Sequence, residues 1–201
     1  MRQKRIKGVD AEYLQQMGVK TDITALNLKN NHQLYVEVGS GKGHFITNLA
    51  KDHPEIQFVA IEKIDSVCYR IAQKKNEMKL DNLEIILGDA ENLEIFFKKE
   101  SIDHIFLNFI DPWPKARHHK RRLTYSTYLS KYQQLLKKDG RIQLRTDHLD
   151  LFNDSIEYIE EVFDIVSEDR NLSESSYMTE YEIKKRKTGP IYQLVAKMKV
   201  E

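Results

Sequence analysis

Leu34-Tyr35-Val36-Glu37-Val38-Gly39-Ser40-Gly41-Lys42-Gly43-His44-Phe45 passes from five residues of strand character through three closely spaced glycines into a helical pattern. Glycines let the chain turn sharply and let a ligand approach the main chain with no Cβ in the way. The spacing G-x-G-x-G fails the dinucleotide pattern G-x-G-x-x-G, and Lys42 lacks the frame G-x-x-x-x-G-K of a phosphate loop. What remains is a strand, a ligand-sized turn and a helix.

Outward from this unit the same alternation continues. Leu34–Val38, Gln57–Ile61, Leu83–Leu87, Ile102–Asn108 and Arg141–Thr146 are apolar, β-branched runs bounded by turn or charged residues, and they predict buried strands. His44–Asp52, Asp65–Met78, Ala90–Lys98 and Tyr125–Lys137 predict the helices between them. Alternating βαβ units imply an α/β fold with a mostly parallel sheet and helices on both faces. A helix over Leu149–Val162, a short strand near Asp164–Ser167, a polar segment Glu168–Thr188 and a last strand Ile191–Met198 follow. The short link before the last strand leaves no room for a helical crossover, so that strand is expected to pair antiparallel. Residues 1–30, rich in Lys, Asn and Gln, are expected to form a basic, polar arm, with one domain over 31–201.

The 201 residues are 40% hydrophobic and 31% charged, and no apolar run approaches the ~20 residues that span a bilayer. The N-terminus Met1-Arg2-Gln3-Lys4-Arg5-Ile6-Lys7 leads into polar sequence instead of a signal core, which predicts a cytoplasmic protein. A single cysteine, Cys68, excludes an internal disulfide, and its apolar-periodic setting favours a buried thiol over a nucleophile. No spaced His/Cys cluster suggests a metal. The net charge is only +1, but Lys115-Ala116-Arg117-His118-His119-Lys120-Arg121-Arg122 holds five Lys or Arg and no acid. Such a run is either a solvated face or a phosphate-binding surface, and charge alone leaves the two even.

Glu37 before the glycine turn resembles motif I of class I S-adenosylmethionine (SAM) methyltransferases. Glu62 ends the second strand nineteen residues past Gly43, where a Rossmann-like fold places an acid against ribose hydroxyls. Asp89, after the third strand, stands where these enzymes contact adenine, and reads equally well as a helix cap. The fourth strand ends in Asn108-Phe109-Ile110-Asp111-Pro112-Trp113-Pro114, so Asp111 falls at the carboxyl ends of the strands, where open α/β sheets bind ligands. The prolines stiffen that loop.

The segment from Asp111 through Arg122 to Leu123 resembles the signature of the bacterial tRNA guanine-N7 methyltransferase family. Leu144-Arg145-Thr146-Asp147-His148, Thr179-Glu180-Tyr181-Glu182 and Gly189-Pro190-Ile191-Tyr192 agree with it in order, and the resemblance spans Leu34 to Met198. It implies a Rossmann-like class I methyltransferase that moves the SAM methyl to N7 of a guanine in the tRNA variable loop. SAM contacts are implied at Glu37, Glu62, Asp89 and Asp111 over the loop of Gly39, Gly41 and Gly43, with Asp111 the active-site acid. Lys115, Asp147, Thr179, Glu180, Tyr181 and Glu182 are implied to bind the target nucleotide. Arg117, His118, His119, Lys120, Arg121 and Arg122 are implied to face RNA. The resemblance further implies a monomer or homodimer with no obligatory protein partner. For Asp147 the alternative is a helix cap, and for Glu182 a solvated loop charge.

Guanine N7 carries an in-plane lone pair and needs no proton removed, so positioning outweighs base catalysis. The alternatives are an enzyme for another base nitrogen, because the loop also resembles the Asp-Pro-Pro-Tyr loop of exocyclic amine methyltransferases, or a catalytically idle RNA-binding module. A small-molecule methyltransferase leaves the basic run unexplained.

Overall fold

β3 (Gln57–Glu62) is buried along its whole length, with Phe58 and Ala60 in the core on one face and Val59 and Ile61 in the core on the other. A strand covered on both faces needs an unbroken apolar run, which is why the sequence reads as it does. The computed structural model describes residues 33–199 continuously, preceded by Ile6, residues 8–22, Thr24, Leu26 and Leu28.

In chain order the described elements are α1 (Ala11–Gln16), β1 (Val19–Lys20), β2 (Leu34–Val38), α2 (His44–Asp52), β3, α3 (Asp65–Met78), β4 (Leu83–Leu87), α4 (Leu93–Phe96) and β5 (Ile102–Asn108). They continue with α5 (Ser126–Leu135), β6 (Leu136–Thr146), α6 (Leu149–Glu160), β7 (Phe163–Asp169), α7 (Glu180–Lys185) and β8 (Tyr192–Met198). Among the described residues the strands form one sheet ordered β1-β4-β3-β2-β5-β6-β8-β7. Pairing is parallel from β1 to β6, and β8 runs antiparallel to both β6 and β7. The last strand pairs antiparallel as expected, but not because its connection is short: residues 170–191 separate β7 from β8 and hold α7.

One core layer joins the sheet to α4, α5 and α6 through Leu93, Phe96, Leu129, Tyr132, Leu151 and Phe152. The other joins it to α1, α2 and α3 through Leu14, Phe45, Ile46, Ile71 and Ala72. Gly43 stands at the N-cap of α2 with φ +76°, and a Cβ there would meet Ile71 at 2.9 Å. Glycine thus satisfies both a left-handed backbone and the close approach of α2 to α3. Strand order reverses around β2, which lies between β3 and β5, so the turn after β2 and the loop after β5 open side by side at the carboxyl ends.

Three expectations need correction. Part of the segment read as an arm is packed onto the domain: Val9, Leu14 and Val19 are buried, Asp10 caps α1 at Tyr13 N, and β1 pairs with β4. The rest of that reading, at residues 1–5, 7, 23, 25, 27, 29 and 30, lies outside the described residues. The helix expected over Ala90–Lys98 is a short 3-10 turn, Ala90–Asn92, followed by the single turn of α4. α5 ends at Leu135 because Leu136 already begins β6 and pairs with Ile102, and the register then shifts so that His104 pairs with Arg141.

Candidate active site

The turn after β2 is shaped from the backbone outward. Gly39 and Gly41 have φ of +76° and +53°, and a Cβ at either would meet nothing within 4 Å, so the cradle beside them is open. Gly39 N and Ser40 N both donate to Ile61 O, and Gly41 N donates to Glu62 Oε2 at 3.0 Å. Glu62 Oε1 accepts from Lys63 N and Ile64 N. Glu62 therefore stitches the glycine turn to the end of β3. Burial raises its pKa, opposed by these three backbone N–H groups. Asp89 caps the following 3-10 turn through Glu91 N and stays half-buried.

Glu37 is buried at the floor of the cradle. Asn108 Nδ2, from the end of β5, donates to its Oε1 at 2.8 Å. Glu37 Oε2 and Asn108 Oδ1 are buried with no hydrogen-bond partner. Burial pushes the Glu37 carboxyl up to about 8, with Asn108 and Ser40 opposing. Two orphaned oxygens beside an open glycine turn fit a ligand that brings its own donors, as the ammonium and hydroxyl groups of SAM do.

The loop after β5 carries two non-glycine residues in the left-handed region, Phe109 at φ +51° and Trp113 at φ +41°. Such strain persists only where the surroundings hold it, and it concentrates at functional sites. Asp111, Lys115, Arg117, Lys120 and Arg121 are exposed, and His118 and His119 are half-buried. The Arg121 guanidinium lies over the Trp113 ring at 5.0 Å, and His118 meets that ring edge-on. Arg122 departs from its neighbours. It is 1% exposed, with Nε donating to Pro112 O at 2.8 Å and Nη1 to Asp154. The expectation that Arg122 faces RNA is corrected: its guanidinium points into the fold.

The polar segment before β8 brings α7 to the same end of the sheet. Thr179 caps α7 at Glu182 N. Tyr181 OH donates to Asp147, Lys185 pairs with Asp147 at 2.9 Å, and the Tyr181 and Phe109 rings lie 5.2 Å apart. Glu180 is gripped by Lys74 from α3 and Lys42 from the glycine turn; burial acts the other way, yet the lysines hold its carboxyl below the usual range. Glu182 is fully buried, its oxygens taken by Arg186 (2.6 Å) and Arg145 (3.4 Å). That geometry makes Glu182 an anchor for α7, in place of the direct guanine contact or solvated charge expected from sequence.

A protein-family model described as "Putative methyltransferase" matches residues 31–194. The chain is 48% identical over 176 residues to the tRNA (guanine-N(7)-)-methyltransferase of Lactobacillus acidophilus, covering 83% of this chain and 81% of that protein. The enzyme of the same name from Bacillus cytotoxicus is 45% identical over 178 residues, covering 86% and 82%. The chain belongs to the tRNA (guanine-N7)-methyltransferase family. Solved structures share the fold at low identity. The 16S rRNA methyltransferase KamB aligns with TM-score 0.64 at 13% identity, over 98% of this chain and 97% of that one. M. jannaschii TYW2 in complex with AdoMet aligns with TM-score 0.55 at 18% identity, over 97% and 78%.

In this guanine-N7 methyltransferase, Glu37, Glu62 and the glycine turn form one cradle, and Asp147, Thr179, Glu180 and Tyr181 gather around α7. Sequence reasoning passed over Asn108, Arg145, Arg186 and Lys74. Arg145 falls on the same alternating face of the strand as Arg141 and Gln143, so the pattern carries no signal for it; it also donates to Gln193 and Tyr177 O. Cys68 is buried, donates to Glu62 O, and is pushed up by burial, as suits an inert thiol. Among the described residues no helix is long and apolar enough to cross a membrane.

Proposed function

We propose that this chain methylates N7 of a guanine in the tRNA variable loop with SAM as donor. The observation that carries the reading is the juxtaposition, at the reversal of strand order, of the open glycine cradle and the Asp111 loop with its exposed cationic turn. SAM, when bound, supplies a methyl group on a positively charged sulfonium. Glu62 retains acceptor capacity for ribose hydroxyls, Asp89 lies on the adenine side, and Glu37 with Asn108 accepts donors at the floor of the cradle.

On the guanine side, Asp111 orients the base and balances the positive charge that appears on the purine as the bond forms. Lys115, Asp147 and Tyr181 hold the nucleotide, while Thr179 and Glu182 set the position of α7. Arg117, Lys120 and Arg121, flanked by His118 and His119, bind phosphates. No proton has to leave N7, so these residues accelerate transfer by alignment. As the family resemblance implies, we infer action as a monomer or homodimer without an obligatory protein partner. A tRNA substrate makes the cytoplasm the place of the reaction.

The test is incubation with labelled SAM and unmodified tRNA, followed by nucleoside mass spectrometry. 7-Methylguanosine at a variable-loop guanine is the expected product. Label on an exocyclic amine or another ring nitrogen overturns the reading in favour of the nearest alternative enzyme, and no transfer overturns it in favour of an RNA-binding module.

A further inference from the structure

We propose that Arg122 and Asp154 form a clamp that positions the Asp111 loop for methyl transfer, making Arg122 a positioning residue acting through the Pro112 carbonyl. The importance of the loop for transfer rests on the function proposed above, but the clamp itself rests on geometry. Arg122 uses all three of its nitrogens: Nε on Pro112 O at 2.8 Å, Nη1 on the Asp154 carboxylate, and Nη2 at 3.0 Å from His119 Nε2. A guanidinium is expensive to bury unless it is paired and hydrogen-bonded, and this one is both.

The held atom matters more than the ion pair. Pro112 follows Asp111 directly, and its carbonyl belongs to the peptide that leads into Trp113, whose left-handed φ of +41° no glycine relieves. A peptide in that state keeps its orientation only if something fixes it. Asp154 lies on α6, and the next residue, Ser155, exchanges a buried 2.8 Å hydrogen bond with Thr124 just past Arg122. α6 thus pins the loop at two points, and the same helix begins directly after Asp147-His148. The helix that supports the Asp111 loop thus starts two residues past Asp147.

The chain has a single tryptophan, and it is Trp113, so intrinsic emission reports the loop without tRNA or SAM. Asp154→Ala removes the counter-ion. The double variant Arg122→Met with Asp154→Ala releases Pro112 without stranding a buried charge, so it keeps the test sound should the single variant fail to fold. Asp154→Asn retains an oxygen for Nη1. The measurements are Trp113 emission and iodide quenching, SAM and tRNA affinity, and the single-turnover rate with both substrates saturating.

The expected result for the released loop is a red-shifted, more readily quenched Trp113 and a rate at least tenfold lower, with SAM and tRNA affinities within twofold of wild type. Asp154→Asn recovers part of both. A folded double variant with wild-type emission and rate overturns the proposal. So does weaker tRNA binding with a reduced salt slope and unchanged emission, which would make Arg122 a phosphate contact. Were wild type to methylate another position, the proposed function would fall, while the emission result and the rate on that product would still decide the clamp.

Discussion

Asn108 Nδ2 donates to Glu37 Oε1 across 2.8 Å, from the end of β5 to the penultimate residue of β2. The bond bridges the two strands that flank the reversal of strand order, and it leaves Glu37 Oε2 as the oxygen available to a ligand.

The first prediction follows from the charge of that carboxyl. Burial raises Glu37 to about 8 from an ordinary 4.5, so between those values the folded chain holds a proton that the unfolded chain has lost. Its contribution to stability is therefore full below about 4.5 and is lost as pH rises through about 8. Thermal melts of the ligand-free protein should fall across that window, and Glu37→Gln should flatten the fall. A ligand ammonium on Oε2 favours the ionised form, so SAM affinity should rise from pH 6 to 7.5, by at most about tenfold per unit. Calorimetry in buffers of different ionisation enthalpy should detect the released proton in wild type and not in Glu37→Gln.

Glu62→Ala should weaken SAM binding by roughly 1.5–3 kcal/mol, the usual range for hydrogen bonds to a charged group. The same change leaves Gly41 N, Lys63 N and Ile64 N without their acceptor, so the melting temperature should fall as well. Titration calorimetry below the melting transition separates the two effects, and unchanged affinity in the folded variant would remove Glu62 from the site.

Glu182→Ala tests the anchor of α7. Removing one partner of a buried ion pair typically costs about 3–5 kcal/mol, because the remaining charges are left uncompensated. Here those charges are Arg145 and Arg186, of which Arg145 is already pulled below its ordinary pKa by burial. The expected outcome is a large drop in denaturation midpoint together with weaker tRNA binding. A variant as stable as wild type would show that Glu182 does not hold the helix.

The strands and the cradle were legible because their signals are local. A strand covered on both faces shows as an apolar run, a ligand turn as glycines, and Glu62 by its distance from Gly43. Arg122 was not legible: in a run of basic residues nothing marks the one that follows the 3-10 turn Ala116–Arg121 in extended conformation and points inward, and its partner Asp154 stands thirty-two residues away. Glu182 is only partly the same case: Arg145 lies thirty-seven residues away, but Arg186 stands four residues on, at the spacing of an ordinary exposed helix pair that gives no sign of burial. Val9, Leu14 and Val19 recur every five residues, a spacing that matches neither helix nor strand, so the packed part of the N-terminal segment looked like an arm.

The exposed cations can be separated from the buried one. Replacing Arg117, Lys120 and Arg121 with Gln, and leaving Arg122 in place, should weaken tRNA binding and lower the slope of log K against log salt by about 0.7–0.9 for each phosphate that is no longer neutralised. SAM affinity should stay the same. A filter-binding series across salt measures the slope, and an unchanged slope would make the run a solvated face.

Asp111→Asn addresses the chemistry itself. If the nucleophile is N7, its lone pair is available at neutral pH and the acid has only to align the base and offset the charge that develops on it. That charge is greatest in the transition state, so the substitution should lower the single-turnover rate on the order of a hundredfold while changing tRNA affinity little. Removing the charge while keeping the shape isolates electrostatics from packing, and Asp111 is exposed, so the fold should tolerate it. With SAM saturating, the Glu37 proton has already been released on binding, and the wild-type rate should be flat from pH 6.5 to 8. Rates across that range for both proteins, beside a tRNA-binding assay, decide the matter. A limb near pH 7 present in wild type and absent from the variant would mean that Asp111 removes a proton, which N7 does not require and an exocyclic amine does.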